Sequence, residues 1–163
     1  LYPGFGLRIT RQPTLPDGSD GAGYLAEKGA GAPGFDAEYT MLQLSIAARL
    51  YLLSGDVRAR WLANLLYDQL APRIDRTSWL IDATGGSRHS SVLSFSSPGL
   101  AVLALQGGRT DLQPVLVSFL ETGLYPPYWN NAFRNYGYPG LYRGYGNEVA
   151  VALLALNEPA PLR

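Results

Sequence analysis

The sequence predicts an all-α protein of repeated antiparallel helical hairpins that form part of an α/α toroid, with long structured loops at one end. Two observations support this fold class. Segments that are apolar around the whole helix alternate with amphipathic ones, and short Gly-containing turns join the members of each pair. A helix that is apolar all round must be covered on every side, whereas an amphipathic helix has one face in water. We therefore expect an inner and an outer layer of helices in one domain of 163 residues.

The first predicted hairpin joins helices at residues 37–53 and 57–70. Asp36 is a suitable N-cap for the first helix, and Ser54-Gly55-Asp56 ends that helix and caps the second. The first helix is apolar on nearly every face, which predicts a buried position. The second has one polar face that we expect in solvent, formed by Arg58, Arg60, Asn64 and Asp68.

The same pattern recurs in the second half of the chain, at residues 98–106 and 111–122. Pro98 suits a first helical position, and a fifth helix is predicted at 148–156. The first, third and fifth helices would be innermost.

Because the chain starts at Leu1 in what reads as loop, we expect a piece of a longer polypeptide. Its open helical edge would be covered by a missing N-terminal part or by self-association.

Residues 1–35 are rich in Gly and Pro turns and lack a sustained periodicity, so they are predicted to be ordered loop or short strand. The predicted organisation is therefore a loop-rich segment 1–35 followed by a helical-hairpin domain 36–163. A short strand is also predicted at Trp79-Leu80-Ile81.

Composition excludes several classes of site. The chain has no Cys and a single His, so neither a thiolate centre nor a histidine metal cluster can form, and we expect no metal or cofactor. Thirteen Lys and Arg balance thirteen Asp and Glu, which disfavours nucleic acid as a partner. No apolar run reaches the roughly 18 residues that would span a bilayer.

The densest candidate site is the loop 125–146, which holds six of the eleven tyrosines. Aromatic faces stack on sugar rings, while Asn and Arg hydrogen bond to hydroxyls and carboxylates. The same residues could instead pack as a rigid cover over the helix ends. The candidate saccharide-binding residues of this loop are Tyr128, Trp129, Asn130, Asn131, Arg134, Tyr136 and Tyr145.

The only histidine, His89, lies in a polar loop at 85–90, beside Arg88. An imidazole titrates near neutral pH and can act as a general acid or base, and Arg88 can pair with a substrate carboxylate. Alternatively, His89 is a loop residue that hydrogen bonds to the backbone. Glu38, at the start of the first helix, is expected to face the loop end of the array and to contribute to binding.

The runs at 31–40, 53–56 and 85–89 together resemble α/α-toroid polysaccharide-active proteins of the heparinase and alginate-lyase type. The resemblance implies a β-elimination on a uronate-containing glycan and a secreted, periplasmic or cell-envelope location. It assigns the base to His89 or Tyr138 and the acid to Tyr142. The residues that would neutralise the uronate carboxylate are Arg88, Asn131 and Arg143.

Two other functions remain open from the sequence. One is a non-catalytic glycan-binding or envelope scaffold protein that uses the same aromatic loop. The other is a glycoside hydrolase that uses Glu38 or Glu148. In each case we predict that loops 85–90 and 125–146 converge with Glu38 in one groove, because both loops lead from an outer helix to the next inner one.

Overall fold

The computed structural model describes residues 6–26, 34–84, 91–95 and 98–123. This part of the chain contains four α-helices and two small antiparallel sheets, so the all-α prediction is wrong and the fold is mixed α/β. The strands are β1 (Gly6–Arg11), β2 (Ala22–Ala26), β3 (Ile74–Asp75), β4 (Leu80–Asp82) and β5 (Val92–Ser94). The helices are α1 (Ala37–Ser54), α2 (Val57–Leu70), α3 (Pro98–Leu105) and α4 (Gln113–Ser118).

The first hairpin forms where local capping signals place it. The Asp36 side chain accepts a hydrogen bond from the Tyr39 N–H, and the Asp56 side chain accepts one from the Arg58 N–H. Gly55 ends α1 in the left-handed conformation, with φ 69°, and its N–H donates to the Tyr51 carbonyl. The two helices consequently begin and end within one residue of their predicted bounds.

The helix α3 is the centre of the core. All its side chains from Pro98 to Ala104 are buried, and it packs against α1 and α2. An aromatic cluster of Trp79, Phe95 and Phe119 fills the space beside it, with ring centroids 4.9–6.0 Å apart. The helix predicted at 111–122 divides into a 3₁₀ turn at Thr110–Leu112, α4, and a π-helical turn at Phe119–Gly123.

An antiparallel hairpin of β1 and β2 covers α2, on the side that the sequence assigned to solvent. The Asn64 side chain is fully buried and its amide donates to the Asp17 carbonyl at 2.7 Å. Gly21 lies so close to α2 that a Cβ there would be 2.6 Å from the Leu65 side chain. The predicted solvent face of α2 is therefore wrong at Asn64, which a polar loop covers, and at Asp68, whose side chain is 11% exposed and pairs with Arg109.

The second sheet has the order β3-β4-β5 and lies between α2 and α3 in the chain. Ile81 of β4 pairs with Ile74 on one side and with Leu93 on the other. The strand predicted at Trp79-Leu80-Ile81 corresponds to β4, shifted by one residue.

The face of α1 opposite to the core is apolar and exposed. We name Leu42, Ile46, Leu50 and Leu53 the α1 stripe; their exposed fractions run from 52% for Leu42 to 86% for Leu53. Their spacing of four, four and three residues places them in one row along the helix. The prediction that α1 is buried all round is therefore wrong on this face.

The two remaining predicted features of the architecture are a fifth helix at 148–156 and a loop at 125–146. Both lie outside the described residues.

Candidate functional site

The N-terminal end of α1 combines an aromatic pair, a cation and two carboxyl groups. The buried Phe35 ring meets the edge of the Tyr24 ring, with centroids 5.2 Å apart. The Arg73 guanidinium lies over Phe35, 4.8 Å from the ring centroid. Asp36 and Glu38 follow directly in the sequence. We call these five residues the α1 N-terminal site.

Arg73 also fixes the base of the segment that contains His89. Its Nη1 donates to the carbonyls of Asp82 at 3.1 Å and Thr84 at 3.3 Å, and Thr84 immediately precedes residues 85–90. The Ala83 N–H donates to the Ser91 carbonyl at 2.9 Å and closes the other side of the segment. One guanidinium therefore links the base of segment 85–90 to the residue that precedes the Asp36 cap.

Hydrogen bonds hold Asp36 in place, but they use only one of its two carboxylate oxygens. Its Oδ1 accepts the cap hydrogen bond from the Tyr39 N–H at 3.0 Å, and its carbonyl accepts from the N–H and the hydroxyl of Thr40. The residue is 1% exposed, yet Oδ2 has no hydrogen-bond partner among the residues that the structure describes. A buried carboxylate oxygen without a donor costs roughly 1–3 kcal/mol or more. This atom is consequently available to a ligand, water or side chain that donates a hydrogen bond.

Glu38 lies in the first turn of α1 and is exposed, where the helix dipole favours a negative charge. Asp36 and Glu38 thus occupy different environments, one buried and one in solvent. They do not form a facing pair of carboxyl groups such as hydrolysis of a glycosidic bond requires.

A second cluster of charges lies between α2 and the turn before α4. The Arg109 side chain makes two hydrogen bonds to Asp68, at 3.0 and 3.2 Å, and two to Asp111, at 2.9 and 2.8 Å. Burial raises the pKa of Asp68, whereas the hydrogen bonds from Arg109 lower the pKa of Asp111. Because Arg109 is shared by both carboxylates and also reaches Asn64, this cluster joins α2 to the turn before α4.

Of the candidate site residues named from the sequence, only Glu38 falls in the described part of the chain. Sequence reasoning treated Asp36 as a cap alone, since no sequence pattern reveals that a second carboxylate oxygen lacks a donor. Neither did it detect Arg73, which has no neighbouring motif. The candidates outside the described residues are Arg88, His89, Tyr128, Trp129, Asn130, Asn131, Arg134, Tyr136, Tyr138, Tyr142, Arg143, Tyr145 and Glu148.

Within the described ranges no group of three His, Cys, Asp or Glu residues is arranged to hold a metal ion. The helices described there are too short or too polar to cross a bilayer. Comparison with protein-family models, with curated proteins and with solved structures finds no match to this chain.

Proposed function

We propose that this protein is carbohydrate-active and binds a uronate-containing glycan at the N-terminal end of α1. The observation that supports the proposal best is the position of Arg73, which anchors the base of segment 85–90 beside Phe35. Thr84, the residue before segment 85–90, is thereby held near the same end of α1 as Asp36 and Glu38, and Arg88 and His89 follow it in the sequence. The tyrosines and Trp129 of loop 125–146 provide stacking surfaces of the kind that sugar rings favour.

The proposed reaction is β-elimination. His89 or Tyr138 removes the proton on the carbon next to the uronate carboxylate, and that electron pair forms a carbon–carbon double bond. The bond to the leaving glycosidic oxygen breaks, and Tyr142 protonates that oxygen. The carboxylate is neutralised by a cationic or amide side chain, for which the candidates are Arg88, Asn131 and Arg143.

Incubation with polygalacturonate, alginate and hyaluronan tests this reaction, since β-elimination gives an unsaturated uronate that absorbs in the ultraviolet. The wild-type protein should generate this product from at least one polymer. Tyr142→Phe and His89→Ala should abolish product formation with little change in melting temperature. Arg58→Ala, which removes an exposed cation at the other end of α1, is the matched control and should retain activity. Absence of product with every polymer would refute the lyase proposal.

The second candidate is a non-catalytic glycan-binding protein. A binding protein needs no facing pair of carboxyl groups, and Asp36 and Glu38 do not form one, since Asp36 is buried and Glu38 is exposed. Titration calorimetry with the same oligosaccharides distinguishes it from the lyase: binding without product indicates the binding protein. Each aromatic substitution in loop 125–146 should then reduce affinity stepwise.

We also propose that the protein acts outside the cytoplasm, where uronate polysaccharides occur.

A further proposal is that the α1 stripe is covered in the working protein. The cover is a part of the polypeptide before Leu1 or a second copy of the chain. Exposed apolar patches of a few hundred Å² commonly mark such interfaces.

A further inference from the structure

We infer that Oδ2 of Asp36 is the acceptor for a hydroxyl group of the bound saccharide, which makes Asp36 a substrate-binding residue. This inference rests on the proposed function and names one contact within its site. In the described part of the chain, Oδ2 of Asp36 is a buried carboxylate oxygen at the N-terminus of α1 that has no hydrogen-bond partner.

Capping does not explain why this residue is an aspartate. Asn and Ser cap helices about as well as Asp and do so without burying a charge. The cap hydrogen bond from Tyr39 uses only Oδ1, so the second oxygen makes no hydrogen bond to the helix. A buried acceptor that destabilises the fold and is not needed by it is typical of a functional position.

The other aspartate cap in the hairpin provides the internal comparison. Asp56 also caps with Oδ1, but its Oδ2 accepts from the Arg58 guanidinium at 2.7 Å. Both carboxylate oxygens of Asp56 therefore have partners, whereas Oδ2 of Asp36 has none within the described residues.

The chemistry of the free oxygen selects the ligand group. A carboxylate oxygen accepts hydrogen bonds, and the carboxylate of a uronate offers no donor to it. A sugar hydroxyl donates one hydrogen bond and is neutral, so it suits this position. Because Asp36 is 1% exposed, the hydroxyl reaches Oδ2 only after the protein atoms that cover this oxygen have moved, and rearrangements of interface side chains are common on binding.

The test compares Asp36→Asn with Asp56→Asn by thermal unfolding and by calorimetric titration with oligogalacturonates. Asn keeps the cap in both variants and removes the negative charge. We expect Asp36→Asn to have an equal or higher melting temperature and at least tenfold weaker binding. Asp56→Asn should bind like wild type, because its carboxylate is not part of the site.

The outcomes separate this inference from the proposed function. If wild type binds and Asp36→Asn binds equally well, the inference is wrong and the proposed function stands. If wild type binds none of the uronate oligosaccharides, the proposed function is wrong and the inference falls with it. A melting temperature several degrees lower in Asp36→Asn would mean that the protein itself supplies the donor, which also overturns the inference. Should Asp36→Asn fail to fold, Asp36→Ser retains a cap, lacks Oδ2 and must show the same loss of affinity.

Discussion

Substitution of Arg109 by Met should destabilise the fold more than any other single change in the polar cluster. Arg109 is 8% exposed and lies between two carboxylates, of which Asp68 is 11% exposed and Asp111 60% exposed. Met keeps much of the aliphatic volume of the side chain but removes the charge and its hydrogen bonds. Asp68 would then be a largely buried carboxylate that has lost both hydrogen bonds from its cationic partner.

The expected loss follows from the different burial of the two partners. Removal of one member of a buried ion pair costs roughly 3–5 kcal/mol, because the remaining charge is uncompensated. The pair with Asp111 is largely in solvent, and exposed pairs contribute only about 0–1 kcal/mol. We therefore expect Arg109→Met to lower the free energy of unfolding by about 3–5 kcal/mol at neutral pH, nearly all of it through Asp68.

Urea denaturation of Arg109→Met, Asp68→Leu and the double variant measures this coupling. The double variant buries no charge at this position, so it should be more stable than Arg109→Met alone. A loss below about 1 kcal/mol in Arg109→Met would show that Asp68 is adequately solvated without its partner. Additive single effects would likewise refute the reasoning, since they would mean that the two side chains do not depend on each other.

Three further predictions concern local features. Gly18→Ala should cost more than the approximately 1–2 kcal/mol that a left-handed backbone imposes on alanine, because its φ is 75° and its Cβ would lie 2.8 Å from Trp61. Gly108→Ala, with φ 79° and open space, is the control for backbone strain alone, and equal losses in urea denaturation would contradict the clash. Hydrogen bonds from the Thr14 hydroxyl and the Leu15 N–H lower the pKa of Asp20 from 3.8 to about 2. Since the folded pKa lies below the unfolded one, the stability from this group is complete above about pH 5 and is lost as the pH falls towards 2. Asp20→Asn should therefore flatten the acid limb of a plot of urea midpoint against pH, and an unchanged slope would exclude the contribution. Finally, sedimentation of the isolated chain should show concentration-dependent association that Leu53→Glu abolishes, whereas a monomer at all concentrations would show that the α1 stripe is tolerated in water.

The helices of the first hairpin could be predicted because their ends are set by neighbouring residues. Asp36 supplies the cap and Gly55 the left-handed stop, and both signals act within one turn of the backbone. The β1–β2 hairpin was harder to predict. Five of the six residues of β1 are exposed, so the strand has no apolar alternation of the kind that marks a half-buried strand.

In the candidate site, too, features set by neighbouring residues could be predicted, whereas contacts between residues separated in the sequence could not. The cap role of Asp36 follows from its position before α1, and the structure confirms it. Arg73 contacts Phe35 and the Thr84 carbonyl, and neither residue is a sequence neighbour of Arg73. Local sequence patterns therefore could not predict these contacts. The convergence of loop 125–146 with this end of α1 stays a prediction.

The attachment of the β1–β2 hairpin to α2 has a consequence for synthesis on the ribosome. A two-stranded hairpin is at best marginally stable by itself, so this one depends on the amide of Asn64 and on the cover that α2 provides. The chain must extend from Ala26 to Leu70 before α2 is complete. At a translation rate of about 5–20 residues per second, α2 is completed roughly 2–9 s after the last residue of β2 has been added. Throughout that interval the side of the hairpin that α2 covers in the folded protein is unprotected, so a chaperone that shields it should favour correct folding.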